Sequence, residues 1–275
     1  MGPVNLPKFV LNLAGFENPP GLAPAPMQTP KDNFSQQAGD YARFRPLYPE
    51  ALYDFLLSLT PAREAAWDAG TGNGQVAVQL ANSFRHVYAT DISARQLEKA
   101  PARDNVTYRA CRAESTGIPA RTFDLVTVAQ ALHWFDFGAF YAEATRVARP
   151  RGVLAVWGYN LLHVEPAVDA LVRTFYRDVA GPYWDAERRH VEAAYATIPF
   201  PFPELPAPPL RMVTHWQRDH LLGYLNTWSA VQGYLRANGT NPVEALRPRL
   251  EALWPEGETR EVQFPLFLRA GRIGK

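Results

Sequence analysis

Cysteine occurs once in this 275-residue chain, at Cys111. A single thiol excludes an internal disulfide framework and a thiolate metal cluster, and it fits a reducing, cytoplasmic setting. Cys111 itself reads as a small buried apolar residue in a strand. Lysine is also scarce, present only at Lys8, Lys31, Lys99 and Lys275. Arginine makes up the rest of 28 basic residues against 27 acidic ones. With the signs nearly cancelled, neither nucleic acid nor a charged membrane surface is an expected partner. No apolar run is long enough to span a bilayer, and KFVLNLAGF is too short and too interrupted by asparagine for a secretory signal. HExxH and comparable ligand clusters are missing, so no metal is expected.

What remains is ample apolar material, 47% of residues, enough for one large domain or one domain with a cap. Residues 1–30 are proline-rich with little periodicity and read as a flexible arm, with Met27 a candidate natural start. Helical periodicity begins at residues 50–59. From residue 64 strands and helices alternate: strands are expected over 65–69, 87–90, 106–110, 125–129 and 153–157, with helices over 75–83, 94–99 and 137–148. Such alternation predicts an α/β fold, a doubly wound and mostly parallel sheet. The expected divisions are a core over 31–160, a helical lid inserted after the fifth strand over 161–209, and completing strands and helices over 210–275. Within these, helices are expected at 167–179, 184–196, 221–237 and 243–254, and late strands at 210–216 and 261–269. The run PFPFPELPAPP reads as a stiff connector.

The chemistry concentrates in WDAGTGNGQ, residues 67–75. Gly70, Gly72 and Gly74 allow a tight turn that brings backbone amides against a ligand, and Asp91, at the end of HVYATD, is placed to hold ribose hydroxyls. Dinucleotide dehydrogenases use similar loops. Here the spacing is GxGxG, and Asp68 stands two residues before the first glycine. A carboxylate there repels phosphate and attracts ammonium, so a ligand cationic at one end is favoured.

With FDLVTVAQALHWF as the fourth strand, these elements resemble the class I S-adenosylmethionine-dependent methyltransferases, particularly the small-molecule group that includes trans-aconitate and ubiquinone/menaquinone-pathway enzymes. The resemblance covers residues 34–160. It implies a seven-stranded Rossmann-like sheet with S-adenosyl-L-methionine as cofactor. Carried over by position, it puts Asp68 near the cofactor's amino group, Gly70, Gly72 and Gly74 around its methionine portion, and Asp91 on both ribose hydroxyls. Ile92 packs on the adenine, Ala113 and Glu114 of CRAEST line that ring, and Gln130 closes over the sulfonium. Tyr41 and Arg45 cover the cofactor and meet its carboxylate.

An activated sulfonium methyl asks the protein mainly to align donor and acceptor and to exclude water. A carboxylate acceptor needs only a cationic clamp, whereas a hydroxyl, amine or carbon acid needs a base. His133 in QALHWF is the candidate base or acceptor-binding group, with a helix-start packing role equally open. Trp134, Trp157 and Tyr159 are candidates for an aromatic wall near the positive methyl, or for core. The expected activity is methylation of a small organic molecule at carboxylate or hydroxyl oxygen, by a monomer or homodimer. The alternatives are a macromolecular methyltransferase, disfavoured because no NPPY-type tetrapeptide follows the fourth strand, an NAD-dependent oxidoreductase, and a catalytically silent domain.

Overall fold

A computed structural model describes residues 43–273. The expectations for residues 1–30, and for Tyr41, lie outside the described residues.

Helix α1 (Glu50–Leu59) buries Leu52 and Leu56, one helical turn apart, on one face. Then come β1 (Ala65–Ala69), α2 (Gln75–Leu80), β2 (His86–Asp91), α3 (Ala94–Leu97), β3 (Val106–Ala110) and β4 (Phe123–Ala129). After a single turn at Leu132–Trp134 follow α4 (Phe137–Val147) and β5 (Ala148–Tyr159). Ser93 caps α3 and Asp136 caps α4, each side chain accepting from a backbone amide three residues on. Beyond β5 lie α5 (Pro166–Thr174), which runs into a turn of π-helix at Phe175–Val179, and α6 (Arg188–Glu192). The chain closes with β6 (Glu204–Leu205), β7 (Arg211–Gln217), α7 (Arg218–Asn226), α8 (Ser229–Asn238), α9 (Pro242–Leu253) and β8 (Thr259–Ile273).

The sheet runs β3-β2-β1-β4-β5-β8-β6, with β7 paired to β8 off that path. Strands β1 to β5 are mutually parallel, and β8 runs antiparallel to β5. The seven expected strands gain an eighth, the short β6, and β8 is long enough to hold two ladders. Thr259–Pro265 pairs with β7, and Leu266–Ile273 pairs with β5. Strand order reverses between β1 and β4, and the crevice beyond their carboxyl ends is where ligands of such sheets bind.

Three expectations are corrected. The proline connector contributes β6, whose Glu204 and Leu205 pair with Gly271 and Ala270 at the sheet's edge, where neighbouring prolines are tolerated. The helix expected over 184–196 is reduced to five residues, because Ala194 and Tyr195 take left-handed φ of 50° and 60°. The helix expected over 221–237 is two, interrupted at Thr227 and Trp228, the latter extended at φ −71°, ψ 133°. Cys111 lies one residue past β3 and is half-buried.

No helix of the described residues is long and apolar enough to cross a membrane. The core beside the crevice is built on Trp67, fully buried against Phe123 and Phe140, with its indole N–H donated to Thr90 Oγ1 at 2.9 Å.

Candidate cofactor and acceptor site

The loop after β1 is tied to β2 by its own backbone. Gly70 and Thr71 donate to the Thr90 carbonyl at 2.8 and 2.9 Å, and Gly74 donates to the Thr71 carbonyl at 3.0 Å. Gly70 and Gly72 adopt φ of 70° and 56°, a region costly for any side chain. The two differ in their surroundings. A Cβ on Gly70 would lie 2.6 Å from the Ala131 Cβ, whereas one on Gly72 would meet nothing within 4 Å. Gly70 is required by packing and Gly72 faces open space.

Asp91 finishes β2 beside this loop. Its Oδ2 accepts from the Gly72 amide and its Oδ1 from the Ser93 amide, both at 2.9 Å. A carboxylate has about four acceptor positions, so these bonds aim the group without exhausting it. The next side chain, Ile92, is a large apolar group left 46% exposed.

Asp68 is corrected. It does not stand open at the loop but is 1% exposed beneath it, its oxygens accepting from Thr71 Oγ1 at 2.5 Å and Thr127 Oγ1 at 2.9 Å. The group stitches β1, β4 and the loop together and leaves no surface for a ligand's amino group. Burial pushes its carboxyl up to about 6 from 3.8, against the two threonine hydrogen bonds. The native state therefore holds this proton more tightly than the unfolded chain. The contribution to stability is present at low pH and is lost as pH rises through about 6, by roughly 3 kcal/mol. Asp68→Asn should remove that descent: urea midpoints at pH 4 and pH 7 should show the variant gaining on the parent at the higher pH.

Ala113 and Glu114 are likewise turned away from open space. Ala113 is 5% exposed within the core, and Glu114 pairs with Arg112 at 3.4 Å and accepts from the Asp136 amide at 3.0 Å. The segment braces the start of α4.

Gln130, just past β4, takes a left-handed φ of 52° while donating Nε2 to the Tyr159 carbonyl at 3.2 Å. A non-glycine residue held there costs about 1–3 kcal/mol and marks a position the surroundings over-determine. Gln130, His133, Trp134 and Tyr159 line one part of a cleft with about 600 Å³ of open space, mouth included. Arg45, Trp184, Asp185, Arg188, Tyr224, Trp228 and Ser229 complete it. Arg45 is anchored by bonds to Tyr159 Oη at 2.9 Å and the Thr227 carbonyl at 3.2 Å, and its guanidinium lies 5.3 Å from the Tyr224 ring centre. The break between α7 and α8 thus serves the site by presenting that carbonyl.

Arg188 was invisible to motif reasoning. Its guanidinium lies over Trp184 at 4.8 Å and over Tyr176 at 5.5 Å, and its Nε donates to Tyr176 Oη at 3.0 Å. Among the described residues no carboxylate lies within ion-pair distance of it. The Trp184 indole nitrogen, also in the cleft wall, is buried without a hydrogen-bond partner. The cleft therefore offers donors to whatever fills it.

His133 needs a second correction. The ring is 8% exposed, its Nδ1 lies 3.0 Å from Tyr195 Oη, and burial, with Arg188 and His190 nearby, lowers it to about 3. Burial favours the neutral ring, and a ring that resists protonation takes a proton from a hydroxyl poorly.

A family model described as a methyltransferase domain matches residues 67–156. The chain is 31% identical over 255 residues to a methyltransferase of Dictyostelium discoideum, an alignment covering 89% of this chain and 97% of that one. Methyltransferase cfoB of Aspergillus candidus is 29% identical over 188 residues, and the chain spans 59% of its length. A solved structure from Anaeromyxobacter dehalogenans, of a protein named as a type II methyltransferase, is 45% identical with a TM-score of 0.78, covering 84% of this chain and 99% of its own.

Proposed function

The chain belongs to the class I S-adenosylmethionine-dependent methyltransferases, and from that membership we propose that it methylates a small organic molecule at an oxygen, either of a carboxylate or of a hydroxyl. S-adenosylmethionine is its cofactor, and the residues beyond β1 and β2 fit that group: the loop leaves open space above Gly72, and the Asp91 carboxylate is aimed beside it. When bound, the cofactor supplies a methyl already activated on a sulfonium. In this reading Asp91 accepts from the ribose hydroxyls, Ile92 packs on the adenine, and the glycine loop accommodates the methionine portion. Arg45 meets the carboxylate and Gln130 stands at the sulfonium end. Asp68 acts through Thr71, holding the loop in shape.

The observation that carries the choice of acceptor is the cleft next to Gln130. Aromatic side chains wall it, with a few polar groups converging on the space between them. Trp184, Trp228 and Tyr224 supply apolar contact and exclude water, while Arg188 supplies positive charge. Segment 161–209 acts here as a cover over the acceptor, contributing Trp184, Asp185 and Arg188.

The test is methyl incorporation from labelled S-adenosylmethionine by the full chain, supplied with a metabolite extract from which macromolecules have been filtered. Label is expected in the small-molecule fraction. Label found only on protein or RNA when those are restored would overturn the proposal. Arg188→Ala is expected to lower kcat/KM for the acceptor by about 10- to 100-fold, the worth of one or two charged hydrogen bonds. S-adenosylhomocysteine affinity should stay unchanged, and an unaltered kcat/KM would remove Arg188 from the acceptor's contacts.

A further inference from the structure

Tyr195 is fully buried, and it reaches that position only because the backbone at Ala194 and Tyr195 turns left-handed after α6. Two successive non-glycine residues in that region are uncommon, and such strain collects where placement of a side chain matters. The carbonyl of Tyr195 is fixed as well, accepting from Arg269 Nη1 at 3.0 Å. What the strain places is the phenol oxygen, 3.0 Å from His133 Nδ1. A buried hydroxyl must give its proton to an acceptor, and among the described residues His133 Nδ1 is the acceptor within reach. The proton of Tyr195 therefore points at Nδ1. A neutral imidazole that accepts at Nδ1 carries its own proton on Nε2.

We propose that Tyr195 is a positioning residue that locks His133 in the Nε2–H form, making His133 a hydrogen-bond donor to an anionic oxygen of the acceptor, in partnership with the Arg188 guanidinium. The inference rests on the reading of the cleft as the acceptor site and chooses between its two oxygen classes: the acceptor is a carboxylate. A carboxylate oxygen uses a lone pair to form the new O–CH3 bond as the S–CH3 bond breaks, and the electron pair of that bond stays on sulfur. No proton is released, so no base is required. The other charged or titratable groups facing this region are Arg45, Asp185, His190, Tyr159 and Tyr224. The buried indole N–H of Trp184 adds a further donor.

Nitrogen-15 NMR of histidine-labelled full chain reads the ring directly, with the His133 signals identified by their loss in His133→Gln. The expected spectrum is that of the Nε2–H form, unchanged from about pH 5 to 9. Tyr195→Phe is expected to move both nitrogen signals toward a mixture of the two forms. An Nδ1–H ring in the parent protein, or a Tyr195→Phe spectrum identical to it, overturns the proposal. The parent spectrum decides alone if that variant does not fold.

The second readout uses benzoate, phenylacetate and succinate against benzyl alcohol, each titrated into the full chain with S-adenosylhomocysteine present. At least one carboxylate is expected to shift the Nε2–H signal and to bind at least 10-fold more weakly to Arg188→Gln, with no response to the alcohol. Silence toward all three carboxylates, or an equal response to the alcohol, overturns the clamp. Calorimetry with S-adenosylhomocysteine reports separately on the methyltransferase reading. A protein with the expected tautomer but no heat would fail there and not here.

Discussion

Asp91→Ala should abolish measurable binding of S-adenosylhomocysteine by calorimetry, a loss of at least about 100-fold in affinity. The carboxylate accepts from the amides of Gly72 and Ser93, both at 2.9 Å. Alanine would free those two amides and release the middle of the glycine loop from β2. The same substitution deletes the only carboxylate expected to meet the ribose, where charge-assisted hydrogen bonds are worth about 1.5–3 kcal/mol each. Asp91→Asn separates the two effects, because it keeps one acceptor oxygen for the loop while halving the capacity for paired hydroxyls. Its affinity should lie between parent and alanine. Retention of parent affinity in Asp91→Ala would refute the ribose assignment.

A second large effect should come from a single methyl group placed at two glycines two residues apart. Both positions have positive φ, so alanine at either costs about 1–2 kcal/mol in backbone strain. At Gly72 that is the whole cost to the empty protein, since a Cβ there touches nothing within 4 Å. The melting temperature should fall by only a few degrees. Donor affinity should fall by about 100-fold or more, because the methyl occupies the space assigned to the methionine portion of the cofactor. At Gly70 the new Cβ would lie 2.6 Å from that of Ala131 and 3.2 Å from the Phe135 ring, both packed in the core. Gly70→Ala should therefore lose stability first, with melting lowered well beyond the Gly72→Ala value. Thermal melts and calorimetry on the pair check the contrast. Equal destabilisation with unchanged binding at Gly72 would put the cofactor elsewhere.

The parallel half of the sheet was readable because its strands are short runs bounded by turn residues, so β1, buried on both faces, and β3, a half-exposed strand at the edge, both begin and end where the pattern says they should. The glycine loop and Asp91 were readable for a related reason, since turn chemistry and strand ends are local properties. What sequence pattern missed depends on distant partners. Asp68 looks like an open acid in one dimension, and only Thr127, 59 residues away, shows that it is buried and committed. Glu114 is taken up by the amide of Asp136. The break at Thr227 carries neither glycine nor proline, and its carbonyl is used by Arg45 from 182 residues earlier in the chain. Arg188 resembles any surface arginine until Trp184 and Tyr176 are seen beneath it. The strain at Tyr195 left no trace in composition at all.

Strand β8 joins two territories that would otherwise be separate. Its Val262 and Phe264 belong to the aromatic cluster with Trp216, Tyr224 and Trp228, while Ala270 and Ile273 belong to the cores of the parallel sheet. Pro265 sits between them, a residue with no amide proton, where the strand changes partner from β7 to β5. One uninterrupted ribbon therefore splices the half that carries the aromatic cleft to the half that carries the glycine loop. Under the proposed function, with one reactant in each half, the chamber would not loosen far without tugging on the loop's scaffold, and the two reactants would meet across a shared backbone rather than a hinge.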